Sequence, residues 1–390
     1  MASNHLLEIK ECGQSIWMDN LTRDLIQSGE LKRMVENGEI RGITSNPAIF
    51  EKAIAGNAIY DADIEAGIHA GLPVYKIYES LIFEDIRNAC DILRPIYEES
   101  GGLDGYVSIE VPPTIADDTE ATINETRRYY REINRPNVMI KIPGTTNGIP
   151  AVEQMIDEGI NVNVTLLFSI QSYEAAARAY IRGLEARVNR GQDISKIASV
   201  ASFFLSRIDN KVDERIDEKL KTQGTEDLNA EARLSAFKGK VAIANAKLAY
   251  QKYKELFHSV SEAPPKEARW QDLAAKGANV QRLLWASTST KNPQYSDVMY
   301  VDELIGPDTV NTLPLATIKA CMDHCNVASR IDTGVEEAKR LIESLKDPDI
   351  NINLDEVMDE ILEEGIDKFI QPFQSLMASM EEKVKQLSPV

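Results

Sequence analysis

A lysine stands in the middle of an apolar run, Asn137-Val138-Met139-Ile140-Lys141-Ile142-Pro143, with no carboxylate beside it in the chain. Desolvation disfavours a charged ammonium set among Val138, Ile140 and Ile142, and it favours the free amine. A free amine is what Schiff-base chemistry on a carbonyl substrate requires. A lysine that only snorkels from a strand end to water leaves the same local pattern. The two readings are separated by the company Lys141 keeps on other strand-like runs.

Side chains alternate across a strand, so residues two apart share a face. Thr44 and Asn46 pair in this way, with Ile43 opposite; Ser108 and Glu110 do so against Ile109 and Val111; Asn163 and Thr165 do so against Val162 and Val164. Asp19 is the last polar position of Ile16-Trp17-Met18-Asp19. In a parallel barrel the apolar set faces the surrounding helices and the polar set faces the lumen, with its C-terminal members at the catalytic end. A convergent Asp, Glu, Lys, two Asn and two Thr is poor core packing, because each buried polar group must find a partner. The set reads as a site.

Eight β-branched or apolar runs can carry these residues, at 15–19, 42–46, 106–111, 138–142, 162–168, 197–204, 282–287 and 309–313. Helix-like stretches separate them, which is the pattern of a parallel sheet. Eight units predict an α/β fold of the closed (β/α)8 TIM-barrel type, a single domain over 1–390. No glycine-rich nucleotide fingerprint follows the first strand, against a dinucleotide-binding sheet. Two connections exceed a single βα loop and predict helical insertions at about 47–105 and 209–280. The first includes a run around 74–98. The second opens with a charged helix at 212–220, continues in an amphipathic run at about 230–257, and holds a proline loop at 261–266. A helical segment at about 340–390 includes the acidic, periodic stretch 354–387, expected to form terminal helices packing across the barrel.

Composition narrows the function classes. The 390 residues are 43% hydrophobic and 27% charged, with a formal charge of −19. That charge argues against nucleic-acid binding and against docking on anionic membranes. No apolar run is long enough to span a bilayer, and the N-terminus lacks the basic start and apolar core of a secretion signal. A soluble cytoplasmic protein is expected. Of the four cysteines only Cys321 and Cys325 cluster, with His324 between them. A structural zinc needs a second cluster, so buried thiols on a helix are expected and no metal site.

The segment Gly42-Ile43-Thr44-Ser45-Asn46-Pro47 resembles the second-strand motif of transaldolases. The runs around Glu110, Lys141, Asn163 to Thr165, Ser202 to Arg207 and Trp285 to Pro293 continue the resemblance in order over nearly the whole chain. Length and the form of the seventh strand resemble the long bacterial subgroup. The resemblance implies a class I aldolase-type barrel that moves a dihydroxyacetone unit from a ketose phosphate to an aldose phosphate, with sugar phosphates as its partners and no cofactor. It implies Lys141 as the Schiff-base residue and Asp19 as the base at the C4 hydroxyl. Glu110 would shuttle protons through a water held by Thr165. Asn46, Asn163 and Ser202 would bind hydroxyls of the three-carbon unit, Thr44 would orient its neighbours, and Arg207 would bind phosphate.

Two departures stand out. Other transaldolases often supply a second phosphate arginine from strand seven, where this chain has Ser287 and Lys291 as substitutes, and Phe203 stands where many have proline. Phe204 matches a tyrosine, and Glu110 a glutamine, of fructose-6-phosphate aldolases, which release free dihydroxyacetone; a phenyl ring there offers no proton. Such an aldolase is the rival enzyme, and a catalytically silent sugar-phosphate sensor is the rival of another class. Monomer and homodimer both remain open.

Overall fold

The computed structural model describes residues 4–223, 228–258 and 268–388. Eight parallel strands close in chain order: β1 (Gln14–Asp19), β2 (Ile43–Thr44), β3 (Val107–Glu110), β4 (Val138–Pro143), β5 (Val162–Leu167), β6 (Ser199–Phe204), β7 (Arg282–Ala286) and β8 (Thr309–Leu313). The expected TIM barrel with additional helices is thus observed. Each strand falls within or beside its predicted run.

β2 is far shorter than 42–46 because Asn46 caps the next helix, Pro47–Ile54, and Pro47 opens it. Proline suits a first helical position, where its missing N–H is not needed. Gly42, just before β2, has a packing reason: a Cβ there would lie 2.5 Å from the Trp17 indole. β5 ends in a register shift between Val164 and Leu167, with Leu166 at φ +59. A left-handed backbone at a bulky residue is rare and costs energy, and such geometry clusters at functional sites.

The N-terminal end of the barrel is plugged by Asp104. It accepts hydrogen bonds from Ser15 Oγ (2.7 Å), Trp17 Nε1 (3.1 Å), Arg41 Nε (2.9 Å) and Arg282 Nη2 (2.9 Å). The arginines hold its carboxyl down at about 2 against the cost of burial.

The region 47–105 holds helices Pro47–Ile54, Asp61–His69 and Val74–Glu99. Helix Ser206–Gln223 follows β6 directly. The expected single run over 230–257 is instead two helices, Leu228–Ser235 and Val241–Phe257, broken where Gly239 takes φ +67. The proline loop expected at 261–266 lies outside the described residues. The stretch 354–387, expected as more than one helix, is one continuous helix, Leu354–Leu387, with Pro372 inside it. It packs on helices of the first insertion, on helix Ser206–Gln223 and on the end of β5. Cys321 and Cys325 are buried thiols at the end of helix Leu315–His324, and the His324 ring turns to Asp297 instead (2.8 Å). Among the described residues no helix is long and apolar enough to cross a membrane.

Candidate active site

Register brings the chemistry together. Glu110 of β3 pairs with Lys141 of β4, Lys141 with Asn163 of β5, and Asp19 of β1 with Thr44 of β2. Lys141 is buried; its Nζ donates to the Ser45 carbonyl (3.1 Å) and lies 3.7 Å from Glu110 Oε2. The carboxylate that the linear sequence does not place beside Lys141 thus comes from the neighbouring strand. Burial pushes the Glu110 carboxyl up, with the Lys141 charge opposing. Burial also pushes Asp19 up, opposed by Lys141 and by the bond from Thr44. Two carboxyls raised in this way near one amine are suited to take up and give back protons.

Hydroxyls and amides hold this centre. Thr44 Oγ1 donates to Asp19 Oδ1 (2.7 Å) and shares a 2.7 Å bond with Thr312 Oγ1 of β8. With that proton committed to Asp19, Thr312 is the donor of the second bond. Asn163 donates to Ser108 Oγ (3.1 Å) and accepts from Ser202 Oγ (2.6 Å). Both Glu110 oxygens, Thr165 Oγ1 and Arg207 Nη1 are buried with no hydrogen bond among the described residues. Buried polar atoms are nearly always partnered, so these four mark groups that a substrate or water would satisfy.

Arg207 is the second residue of helix Ser206–Gln223, and its Cζ sits 5.3 Å from the Phe204 ring and 5.9 Å from the Phe369 ring. A surface ion pair with Asp209 is excluded. Asp209 is buried, accepting from Tyr300 Oη (2.6 Å) and from Ala242 N (2.8 Å). Ser287, at φ +54, shares a 2.8 Å bond with Ser206 Oγ, which brings the end of β7 against the start of the arginine's helix. Lys291 lies instead on the exposed loop beyond, its Nζ on Ser289 Oγ (3.1 Å). Asn46 stands one step outside the barrel. Its Oδ1 caps Ile49 N (3.1 Å), leaving its amide nitrogen without a protein partner among the described residues.

Three contributors escape sequence reasoning. Thr312 lies in Thr309-Val310-Asn311-Thr312-Leu313, where both faces carry polar residues and alternation has no voice. Ser45 acts through its backbone carbonyl, and Phe369 belongs to a helix whose apolar stripe resembles any other.

A parallel barrel with a buried amine and two buried carboxyls gathered at its C-terminal mouth defines the class of enzymes that form a lysine imine with a carbonyl substrate. The model of the transaldolase/fructose-6-phosphate aldolase family matches residues 16–380. The chain is 74% identical to transaldolase 2 of a Nostoc species and 67% identical to a transaldolase of Trichodesmium erythraeum, each over the full length of both proteins. It is 40% identical to a transaldolase of Frankia alni over 98% of each chain. The chain belongs to the transaldolase/fructose-6-phosphate aldolase family, whose members are enzymes, and its near relatives are named on the transaldolase side.

Proposed function

We propose that Lys141 carries a transaldolase reaction of the pentose phosphate pathway, transferring a dihydroxyacetone unit between sugar phosphates. The observation that carries this reading is the cluster of Lys141, Glu110 and Asp19, an amine and two upshifted carboxyls at one end of the barrel. The Lys141 amine adds to C2 of fructose 6-phosphate or sedoheptulose 7-phosphate. Glu110, with Thr165 holding a water beside it, delivers and removes the protons as the carbinolamine loses water. The resulting iminium draws electrons from the C3–C4 bond while Asp19 takes the C4 hydroxyl proton. An aldose phosphate leaves, and the three-carbon carbanion stays on Lys141 until glyceraldehyde 3-phosphate or erythrose 4-phosphate accepts it.

Ser202 orients Asn163 toward the hydroxyls of the bound unit, with Asn46 offering its free amide nitrogen from the rim. Arg207 takes the phosphate, and Ser287 faces the same end; Lys291 supplies positive charge from the outer loop. Phe204 has no proton to give the carbanion, which favours transfer over release. Charged sugar phosphates do not cross membranes unaided, so we place the enzyme in the cytoplasm where they are made.

The test is reduction by borohydride in the presence of fructose 6-phosphate, with the modified peptide located by mass spectrometry. Label is expected at Lys141 and absent from Lys141→Met, which should not turn over. Label at Lys291 instead would overturn the assignment.

A further inference from the structure

The reading above leaves the C-terminal helix Leu354–Leu387 without a role, yet it lies over the catalytic mouth. Its first half is fastened to helix Ser206–Gln223 by Lys211–Glu364 (2.6 Å) and Arg215–Glu360 (2.8 Å), and its last turns to the first insertion by Lys383–Asp61 (2.6 Å). Between these ties it comes close to the site because residue 365 is glycine. A Cβ there would lie 3.1 Å from Arg207 Nη1 and 3.2 Å from Leu166 Cδ2. Glycine inside a helix is unfavourable by about 1 kcal/mol relative to alanine, and here close packing on the arginine explains it. One turn further on, Phe369 is buried at 7% exposure. Its ring centroid is 5.8 Å from Lys141 Nζ and 5.9 Å from Arg207 Cζ.

We infer that Phe369 is a specificity-determining residue. Its ring roofs the imine nitrogen and, with Phe204, flanks the guanidinium, and so decides whether the three-carbon unit waits for an aldehyde or is lost to water. This rests on Lys141 being the Schiff-base residue. Loss to water takes two steps. The carbanion, an enamine in its neutral form, takes a proton at carbon and becomes the iminium of dihydroxyacetone. Water then adds at C2 and the C2–N bond breaks, returning that proton and leaving free dihydroxyacetone and the Lys141 amine.

Both steps need water at the position the ring covers, and excluding water from a reactive intermediate suppresses hydrolysis. The same ring can favour the cationic iminium over the neutral carbinolamine through its π face. Its contact with Arg207 couples the roof to the phosphate end of the substrate.

The experiment compares the full-length protein with Phe369→Ala and Phe369→Leu. It measures free dihydroxyacetone released from fructose 6-phosphate and three-carbon transfer to erythrose 4-phosphate, with borohydride labelling of Lys141 alongside. Removing the ring should raise the release-to-transfer ratio about tenfold, a change of about 1.4 kcal/mol in relative barriers. Leucine keeps apolar cover but has no π face, so its ratio should rise by less than that of the alanine variant. Both variants should still label at Lys141. If the alanine variant does not fold, the leucine variant decides alone. An unchanged ratio, or equal loss of both activities, overturns the inference and leaves Phe369 a packing residue. Failure of the unmutated protein to label or transfer would instead sink the proposed function, and this inference with it.

Discussion

Arg207 has two phenyl rings for neighbours, and among the described residues no carboxylate forms an ion pair with it. Burial pushes its guanidinium down, Glu110 and Glu364 act on it only at a distance, and a planar fork suits a phosphate. Arg207→Ala should therefore raise KM for fructose 6-phosphate by roughly 100-fold, the loss of about 3 kcal/mol of charge-assisted bonding. Use of unphosphorylated dihydroxyacetone as donor should change little; steady-state kinetics on both donors would show equal effects if Arg207 were structural. Thr312 acts at one remove. By donating to Thr44 it strengthens the bond that Thr44 gives to Asp19, and such a bond favours the ionised carboxylate. Thr312→Val should push Asp19 further up, so the acid limb of the kcat/KM profile for transfer should move to higher pH. A profile that only drops in height would assign Thr312 to packing.

Helix Ser206–Gln223 presents Arg207 at one end, and what anchors it is an acid. Asp209 accepts from Ala242 N, in the first turn of helix Val241–Phe257, and from Tyr300, while Asp213 accepts from Tyr295 Oη (2.6 Å) in the loop after β7. These bonds join the arginine's helix to the loop that follows Ser287. Burial pushes the Asp209 carboxyl up to about 7, against an ordinary value near 3.8. The folded protein therefore holds this proton more tightly than the unfolded chain does. That contribution to stability is complete below about pH 4 and is lost as pH rises toward about 7. Asp209→Asn keeps an acceptor for Ala242 N and cannot ionise, so its melting temperature should vary less than that of the unmutated protein between pH 4 and 7. The corresponding difference in unfolding free energy should not exceed ~4 kcal/mol. Parallel curves for the two proteins would show that Asp209 does not titrate in this window.

Across the whole barrel, the Asp104 cluster at one end and the Lys141 cluster at the other have opposite duties. At the N-terminal end Asp104 joins β1, the approach to β2, and β7 through Ser15, Trp17, Arg41 and Arg282, and both of its carboxylate oxygens are partnered. At the C-terminal end several buried atoms are left for a ligand. The first pattern is that of a stabilising plug, the second of a site. Removing one partner of a buried pair strands the other charge, so Asp104→Ala should lower stability by ~3–5 kcal/mol. The fraction that still folds should label at Lys141 as before. The pH sign is opposite to that of Asp209. With its carboxyl held at about 2, Asp104 stabilises the fold above about pH 4 and ceases to do so as pH falls toward 2. A urea titration at pH 7 measures the loss; an unstable variant that also loses labelling of its folded fraction would contradict the division.

Period-two alternation is a local property, so the linear chain by itself determined the strands and the lumen faces of Glu110, Lys141, Asn163 and Thr165. The spacing of eight such runs determined the barrel, and the order of motifs determined the family. Tertiary structure decided what depends on contacts across long stretches of chain. Glu110 reaches Lys141 only through strand register, and Thr312 meets Thr44 268 residues away in sequence because a closed sheet brings its last strand beside its first. Asn46 turned from the lumen face of a strand to a helix cap because proline follows it. Lys291, a substitute for the phosphate arginine of relatives in the strand-seven run, lies on the exposed loop beyond β7 because that loop carries it outward. Phe369 was an ordinary member of an apolar stripe until the helix was laid across the mouth. A stripe records only that a face is buried, and what lies beneath it is settled by packing.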